Sequence, residues 1–326
     1  MRTLTVAIER YDRYLPFYDG TIRPPEGIAL DIRQVGATTP LRDGKDRNRR
    51  MLIDDEFDLC EFGLSAYLMA RDRGLDITAL PVFPRRLFSQ SQIFVHPDSG
   101  LTAPHQLIGR RIAVNSFQTS LSVLALGDLK FAYGAPWEDI IWCPTSSQML
   151  DFPGAKAPPL DPCCTGRRQE LGVLLASGEI DAFLLPRPPH AVATGTTPAR
   201  RLFPYPKAAE RAYFGEKGYF PIMHLMAVSA KLSAEAPELL LPLTAMFAEA
   251  DAIAAGYAAD PAWSLLAWGR HDAEAEAEAL GGNLWPVGLE ANRANIARFA
   301  EYAQDIGLIA ARPDVDALFA EPVRAT

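Results

Sequence analysis

The sequence predicts an α/β protein with two blocks of mostly parallel β-sheet. Three observations support this. Strand-like and helix-like segments alternate over the first two thirds of the chain, the same alternation starts again in the middle, and the C-terminal part is helical and rich in Ala and Glu. Two βαβ blocks followed by helices predict two small α/β domains, and the chain contains neither an internal repeat nor a low-complexity tract.

The first block reads as five strands and two helices. Short β-branched or apolar runs predict strands at residues 3–8, 27–33, 57–62, 77–82 and 92–95. Helices are expected at 42–54, a charged stretch that ends on apolar residues, and at 65–73, with Ser65 in the N-cap position.

The second block repeats the pattern around a long loop. A helical turn, a Gly and a buried strand are expected over 104–114, followed by a helix at 117–133 and a strand at 140–143. Residues 144–166 hold five prolines and two glycines and predict an irregular loop. Beyond it we expect a helix at 167–177, strands at 179–185 and 222–229 with an irregular stretch between them, and helices at 235–255, 271–280 and 289–305.

Composition narrows the class of protein. The chain has 326 residues, enough to bury a core without disulfide or metal staples. Its 32 basic and 40 acidic side chains give a net charge of −8, and the basic residues are dispersed. This negative net charge excludes nucleic acid as a main binding partner, because binding to the phosphate backbone needs a cluster of basic side chains.

The N-terminus and the cysteines favour a cytoplasmic protein. The opening MRTLTVAIERYDRY has no apolar signal-peptide core, and no stretch approaches the apolar length of a membrane span, so no membrane partner is expected. Four cysteines are too few for a disulfide scaffold. The adjacent Cys163 and Cys164 are poorly placed to bridge or to chelate an ion alone, so we expect no metal site and reduced thiols.

Candidate functional residues follow the predicted strands, because ligands bind outside the carboxyl ends of parallel strands. Common nucleotide-binding and hydrolase motifs are absent from the sequence. The polar residues at or near strand ends are Tyr11, Asp12, Arg13, Ser65, Arg85, Arg86, Asn115, Ser116, Gln118, Thr119, Arg187 and His224.

Each of these positions has a structural alternative. The planar guanidinium groups of Arg85 and Arg86 could each bind a carboxylate through two hydrogen bonds; alternatively, these arginines form ion pairs at the surface. The residues from Asn115 to Thr119 open a helix whose N–H groups suit an anion, or Asn115 or Ser116 simply caps it. His224 enters an apolar strand, where it is a proton donor or a buried histidine held by the backbone.

The remaining positions have equally plain alternatives. Asp12, in the run Tyr11-Asp12-Arg13, is an N-cap with a local ion pair, or part of a site. Ser65 is either a helix cap or a ligand hydroxyl.

Several short segments of the sequence resemble segments of one protein family, and they occur in the same order along the chain. They are YDRY (11–14), PPEGIAL (24–30), EFDLCEFGLSAYL (56–68), ALPVFPRRLF (79–88), SGEIDAFL (177–184), FPIMH (220–224) and LWPVGLEANR (284–293). Together they resemble the 4,5-dihydroxyphthalate decarboxylase family over nearly the whole chain, as a divergent member. SGEIDA and LIGRRIAV are general marks of the wider type-2 periplasmic-binding-protein fold.

The resemblance implies a two-lobed α/β fold of the type-2 periplasmic-binding-protein kind, with the ligand in a cleft between lobes joined by two crossover strands. By that analogy, lobe 1 takes 1–95 and 205–326 and lobe 2 takes 96–204, with the crossovers near 92–95 and 222–229. It implies non-oxidative loss of carbon dioxide from a hydroxylated aromatic dicarboxylate, without an organic cofactor.

The same resemblance suggests roles for the candidate residues. His224 and Arg86 would be the catalytic residues, with His224 as the acid and either Arg86 or Arg85 as the carboxylate clamp. Tyr11, Ser65 and Gln118 would be orienting groups. Asp12, Arg13, Ser116, Thr119 and Arg187 complete the expected substrate-binding set.

The chain departs from the family pattern in two places. The family's Arg-His pair after the fourth strand is replaced by Ser89-Gln90, and a Trp and an Arg of a later helix are replaced by Leu124 and Leu126. These changes remove two cations and a histidine from a site for a dianion, and Arg85 is the candidate to restore one charge.

Two other functions remain open at this point. One is a solute-binding protein of an ABC-type transporter for a small carboxylate, which shares the fold and needs no histidine. The other is a different lyase on the same fold, since fold alone does not set the reaction. The sequence leaves the exact substrate and a homo-oligomeric state open.

Overall fold

The computed structural model describes residues 1–36, 42–146, 160–260, 262–281 and 283–326. These fall into two compact units. Unit 1 comprises Met1–Arg86, His224–Ile296 and Pro313–Thr326, and unit 2 comprises Leu87–Met223 and Ala297–Arg312. Two mixed sheets with helices confirm the two-lobed α/β class. The lobe boundaries drawn from the sequence, 1–95 with 205–326 and 96–204, stay a prediction.

The described ranges contain ten strands and eleven α-helices. The strands are β1 (Arg2–Ala7), β2 (Ile28–Arg33), β3 (Leu59–Gly63), β4 (Ile77–Arg86), β5 (Ile93–Val95), β6 (Arg111–Val114), β7 (Ile141–Pro144), β8 (Ala182–Leu184), β9 (Arg200–Arg201) and β10 (Ile222–Ser229). The helices are α1 (Leu15–Tyr18), α2 (Arg47–Leu52), α3 (Leu64–Asp72), α4 (Ser120–Phe131), α5 (Leu171–Ser177), α6 (His190–Ala193), α7 (Pro206–Lys217), α8 (Ala230–Glu235), α9 (Leu240–Ala258), α10 (Gly269–Leu280) and α11 (Arg293–Ile306).

Each sheet combines parallel strands with antiparallel ones. The first has the order β2-β1-β3-β10-β4 and the second β7-β6-β8-β5-β9. Strand β1 runs parallel to β2 and β3, whereas β10 runs antiparallel to β3. In the second sheet β6 runs parallel to β7 and β8, and β5 runs antiparallel to β8 and β9. The expectation of mostly parallel sheets therefore fails at β5, β9 and β10.

Several predicted boundaries shift in the structure. Helix α7 occupies the stretch that the sequence marks only as irregular, and β4 runs on through Arg85 and Arg86 instead of ending before them. The predicted loop at 144–166 lies partly outside the described residues, because 147–159 are not described. Its last residues contain a 3₁₀ turn, Pro162–Cys164.

The helix caps also differ from those expected. Helix α3 follows β3 directly, so Gly63 takes the N-cap position and Ser65 lies buried inside the helix. Helix α4 begins later than predicted, and its N-cap is Thr119, whose Oγ1 accepts a hydrogen bond from the Ser122 amide at 3.3 Å. Asn115 and Ser116 are therefore not its caps. Asp12 is likewise the first residue of a 3₁₀ turn whose N-cap position is Tyr11.

One helical stretch of the described residues, Pro237–Ala258, is long and apolar enough to cross a membrane by length and composition. This corrects the expectation that no stretch comes near that length. Within unit 1 the helix packs aromatic side chains, with the Phe247 ring 5.5 Å from Tyr14 and 4.9 Å from Phe17. A core helix of a soluble protein meets the same criterion, so the finding is consistent with a soluble protein.

A tight contact in unit 2 provides a test of its packing. A Cβ added to Gly127 of α4 would lie 2.1 Å from the ring of Tyr302. We expect Gly127→Ala to lower the free energy of unfolding by about 1–3 kcal/mol, because the close-packed ring has to move. Chemical denaturation of the purified variant measures this change.

The matched control is Gly215→Ala. Gly215 lies in the last turn of α7, and an added Cβ would meet no atom within 4 Å. Helix propensity alone then predicts stabilisation by up to about 1 kcal/mol. Equal effects of the two substitutions would contradict the packing described around Tyr302.

Candidate active site

The centre of the candidate site is a fully buried carboxylate. Glu61 lies in the otherwise apolar strand β3 and is 0% exposed. Burial of an unpaired carboxylate is expensive, so its oxygens need partners. Both oxygens of Glu61 have such partners. Oε1 lies 2.5 Å from Nδ1 of His224 and accepts a hydrogen bond from the Tyr11 hydroxyl at 2.9 Å. Oε2 accepts a hydrogen bond from the Glu9 amide at 3.2 Å.

The strand register explains the pair formed by Glu61 and His224. In the antiparallel pairing of β3 with β10, His224 lies opposite Gly63 and Met226 opposite Glu61. Glu61 and His224 are therefore diagonal neighbours on one face of the sheet, within reach of each other's long side chains. Glycine at position 63 leaves room beside the imidazole because it has no side chain.

Arginines compensate the buried charge. Arg47 of α2 lies 3.4 Å from Oε1 of Glu61 through Nη2, and its Nη1 lies 3.1 Å from Oε1 of Glu9. Arg42 also pairs with Glu9. Two carboxylates and two guanidinium groups thus form a compact ionic network in unit 1, and this network holds Glu61 in one position.

The network sets the ionisation of the three central groups. Burial raises the pKa of Glu61, but the charge of Arg47 and the hydrogen bonds from His224 and Tyr11 outweigh it and hold that pKa well below its usual range. Burial lowers the pKa of His224 to about 4, against the opposing effect of Glu61. Burial and the Glu61 charge together raise the pKa of Tyr11 well above its usual range.

At neutral pH, therefore, His224 is neutral and donates its Nδ1–H to the Glu61 carboxylate. This fixes the tautomer, so Nε2 carries the lone pair. In the described part of the chain the ring has no further hydrogen-bond partner, and its side chain is 18% exposed. Nε2 is available to exchange a proton with a ligand.

The two arginines at the end of β4 have different environments. Arg86 is buried, and its Nη2 donates to Oδ1 of Asn292 at 2.5 Å and to the Pro286 carbonyl at 3.3 Å. Burial lowers its pKa to about 9. These contacts fasten the segment LWPVGLEANR to β4. The catalytic role expected for Arg86 stays a prediction.

Arg85 is the cation beside the imidazole. Neighbouring residues of a strand point to opposite faces, so Arg85 does not share the surroundings of Arg86. Its positive charge helps to lower the pKa of His224 and opposes the rise in the pKa of Tyr11, so Arg85 lies near both groups. Within the described ranges Arg85 forms no ion pair or hydrogen bond, so its guanidinium is free to take an anionic ligand.

Arg13 is held against aromatic rings in the same unit. Its guanidinium carbon lies 4.2 Å from the ring centre of Tyr11 and 3.7 Å from that of Trp285, and Nη2 donates to the Pro84 carbonyl. Asp12 is exposed, pairs with Arg13 at 3.5 Å and accepts from its amide at 2.8 Å.

Asp12 and Arg13 also line a pocket of about 520 Å³. Asp251 also lines this pocket. Burial raises the pKa of Asp251 to about 7. Ser65 is buried within α3, and its role as a ligand hydroxyl stays a prediction.

The other predicted binding residues lie in unit 2. Ser116 and Gln118 are buried just before α4, Thr119 caps that helix, and Arg187 is exposed after β8. Arg168, which the sequence did not single out, donates to Oδ1 of Asn115 at 2.9 Å. Burial and the charge of Arg187 lower the pKa of Arg168, so these two cations lie near each other.

Ser89 and Gln90, two of the residues that depart from the family pattern, form polar contacts inside unit 2. Ser89 Oγ donates to Oδ2 of Asp128 at 2.6 Å, and Gln90 Nε2 donates to the Tyr133 hydroxyl at 2.9 Å. The Tyr213 hydroxyl donates to Oδ1 of Asp128 at 2.9 Å. Burial raises the pKa of Asp128 to about 7. Leu124 and Leu126 lie buried in α4.

Four residues of the ionic network in unit 1 have no assigned role in the sequence-based prediction, namely Glu9, Arg42, Arg47 and Glu61. The sequence contains a signal that could have identified one of these residues, Glu61. Glu61 is a charged residue inside the apolar strand LCEFG, and such a residue needs a buried partner. The sequence gives no comparable signal for Arg47, which belongs to a run of exposed-looking charges.

Comparison with curated proteins gives two relatives. The chain is 28% identical over 325 residues to 4,5-dihydroxyphthalate decarboxylase from Comamonas testosteroni, covering 97% of this chain and 96% of the relative. It is 26% identical over 225 residues to the protein of the same name from Pseudomonas putida, covering 66% of this chain and 83% of that one. No protein-family model matches the chain.

Among solved structures, the periplasmic aliphatic sulphonate binding protein SsuA from Escherichia coli is similar in fold. The TM-score is 0.57 at 16% identity, and the match covers 100% of both chains. At this identity the likeness shows the fold alone.

The buried imidazole makes stability depend on pH in a defined way. A histidine has a pKa of 6.5 when unfolded and that of His224 is about 4 when folded, so the unfolded chain binds an extra proton between these values. The stability contributed by the neutral imidazole is complete above pH 6.5 and is lost as the pH falls toward 4. Its full size is about 3 kcal/mol.

Because other groups titrate in the same range, the test compares two proteins. We expect His224→Gln to lose less stability than the wild type between pH 7 and pH 4, measured by urea unfolding. His271→Gln, at an exposed position on α10, is the control and should follow the wild type. Identical pH profiles for wild type and His224→Gln would rule out a neutral buried imidazole.

Proposed function

We propose that the chain is a divergent 4,5-dihydroxyphthalate decarboxylase-like enzyme, which catalyses the non-oxidative loss of carbon dioxide from a hydroxylated aromatic dicarboxylate such as 4,5-dihydroxyphthalate. The observation that carries the proposal is the buried Glu61–His224 pair with the cation of Arg85 beside it, which forms no ion pair among the described residues. A solute-binding protein needs cations and hydrogen-bond donors for a carboxylate, but it does not need a group that delivers a proton to a ring carbon.

The reaction requires one proton at one ring carbon. A hydroxyl para to the leaving carboxylate donates electron density into the ring, and an acid then protonates the carbon that bears the carboxylate. The carbon–carbon bond breaks, its electron pair restores the aromatic ring, and carbon dioxide leaves. One proton is consumed and one carbon dioxide released, so the step needs no electron acceptor.

His224 is the proposed acid, and its charge state links binding to chemistry. In the free protein its low pKa keeps Nε2 unprotonated at neutral pH. A bound dianion places negative charge near the ring and raises that pKa, so the imidazole takes up a proton from solvent. Glu61 stabilises the imidazolium through Nδ1–H, and Nε2–H is the proton delivered to carbon.

Arg85 is the proposed clamp for the carboxylate that is not lost. A guanidinium binds a carboxylate through two parallel hydrogen bonds, which fix the orientation of the ring as well as its position. Among the arginines at the end of β4, Arg86 is already bonded to Asn292 and Pro286, whereas Arg85 has no such partner in the described residues.

Tyr11 and Glu61 are positioning residues in this scheme. The Tyr11 hydroxyl donates to the same carboxylate oxygen as His224, so its proposed role as a substrate-orienting group acts through Glu61. Arg47 holds the carboxylate ionised, which the imidazolium needs as its counter-charge.

We also place the protein in the cytoplasm. The four cysteines, Cys60, Cys143, Cys163 and Cys164, are free thiols, which suit a reducing compartment. None of the proposed steps uses an organic cofactor.

The first test is turnover. Purified protein should convert 4,5-dihydroxyphthalate with release of carbon dioxide, and His224→Gln should lower kcat by about 10²–10⁴-fold, the usual contribution of a positioned acid. Arg85→Gln should lower kcat/KM about 10–100-fold, the value of lost charged hydrogen bonds, mainly through KM. Arg23→Gln, at an exposed position in the same unit, is the control and should leave both constants unchanged.

The outcomes separate the proposal from its rivals. Full turnover by a folded His224→Gln variant would remove the acid from the mechanism. Tight binding of the dicarboxylate without carbon dioxide release would support a solute-binding protein. Release from a different carboxylated ring, abolished by the same substitution, would keep the mechanism and change the substrate.

A further inference from the structure

Three cysteine sulfurs lie close together inside unit 2, and none of these cysteines belongs to the candidate active site. Cys143 lies in β7, and Cys163 and Cys164 lie in the 3₁₀ turn Pro162–Cys164. All three Sγ atoms lie within 4.8 Å of one another, and those of Cys163 and Cys164 are 3.6 Å apart. Cys143 and Cys164 are fully buried, and Cys163 is partly exposed.

These spacings suit a metal ion. A tetrahedral zinc site has Zn–S bonds of about 2.3 Å, which places its sulfurs about 3.8 Å apart. The three thiols could therefore bind one ion with small side-chain adjustments. A disulfide would instead require two sulfurs to close to about 2.05 Å and would leave the third without a role.

The backbone holds the ligands in place before any ion binds. Cys143 pairs with Ala113 in the parallel ladder of β6 and β7, and the Asp161 amide donates to the Trp142 carbonyl at 2.8 Å. Oδ1 of Asp161 accepts from the Cys163 amide at 3.0 Å and so caps the turn.

Arg167 lies beside the cluster, and its Nη1 donates to the Cys163 carbonyl at 3.3 Å. Its positive charge would offset part of the negative charge of three thiolates. A bound metal ion would displace the thiol protons, as in other thiolate sites.

We propose that Cys143, Cys163 and Cys164 form a three-thiolate site for a soft or borderline metal ion, Zn²⁺ in the first instance. Sulfur ligands without a carboxylate among them select such ions over Mg²⁺ or Ca²⁺. The ion would join β7 to the turn and stabilise unit 2. The site departs from the absence of metal expected from the sequence, where only the adjacent pair 163–164 was considered.

The test uses the whole reduced protein under anaerobic conditions, titrated with Cd²⁺ and with Zn²⁺. We expect one ion per chain, a thiolate-to-cadmium charge-transfer band in the ultraviolet, and a higher Tm in the presence of Zn²⁺, because ligand binding favours the folded state. Native mass spectrometry gives the stoichiometry independently.

Cys163→Ser is the variant of choice because Cys163 is the least buried of the three, and it should lose the band and the Tm rise. Cys60→Ala, which removes the cysteine of β3, is the matched control and should keep both. Absence of stoichiometric binding to the folded wild type, or unchanged binding by Cys163→Ser, would overturn the proposal. The three thiols would then be core residues packed with Phe94, Leu171 and Phe183.

Discussion

The arrangement of unit 1 depends on a single buried charge. A carboxylate such as that of Glu61, with no exposed surface, is tolerated in a folded protein only when cations and hydrogen-bond donors surround it. Arg47 supplies the opposite charge, and Tyr11 and His224 supply donors. Glu9 in turn pairs with Arg47 and Arg42. The conformation after β1, the placement of α2 and the tautomer of the imidazole all follow from satisfying this one group.

The same requirement prepares the imidazole for chemistry. An ionised Glu61 accepts the Nδ1 proton, so Nε2 faces outward from the pair, and burial together with neighbouring arginines keeps the ring neutral until a negative ligand arrives. Arg85 is such a neighbour and also the free cation of the site in the described residues. A dianion that pairs with Arg85 therefore changes the charge balance around His224 in the direction that protonates it. In the proposed mechanism, electrostatics therefore couples substrate binding to proton delivery.

Unit 2 contains the residues at which the sequence departs from the family pattern that it resembles. Ser89 and Gln90, which stand where that resemblance implies an Arg-His pair, donate to Asp128 and Tyr133. Burial raises the pKa of Asp128 to about 7, so its carboxyl group is only partly ionised at neutral pH, and the Tyr213 hydroxyl also donates to it. The second sheet around these residues keeps the order β7-β6-β8-β5-β9, and the chain is similar in fold to SsuA.

Much of this molecule follows from local sequence pattern. The apolar runs of β1, β2, β3, β6 and β10 appear as strands within a few positions of those predicted. Helix α7 was missed because its exposed, charged surface leaves only Tyr213 buried and so gives little apolar periodicity. The sequence did not predict that β5 and β10 run antiparallel to their neighbours, because the residues of a strand do not determine the direction of the strand beside it.

What the sequence determined by itself is the α/β class, most of its strands and the identity of His224, Arg85 and Tyr11 as chemically capable residues. Only the tertiary structure determined where these residues lie relative to one another and to their partners. The register of β10 against β3 placed His224 diagonally to Glu61, and the alternation along β4 separated Arg85 from the buried Arg86. The fold likewise brought Cys143 to Cys163 and Cys164. Distances between residues far apart in the chain depend on strand pairing, which local propensity does not encode.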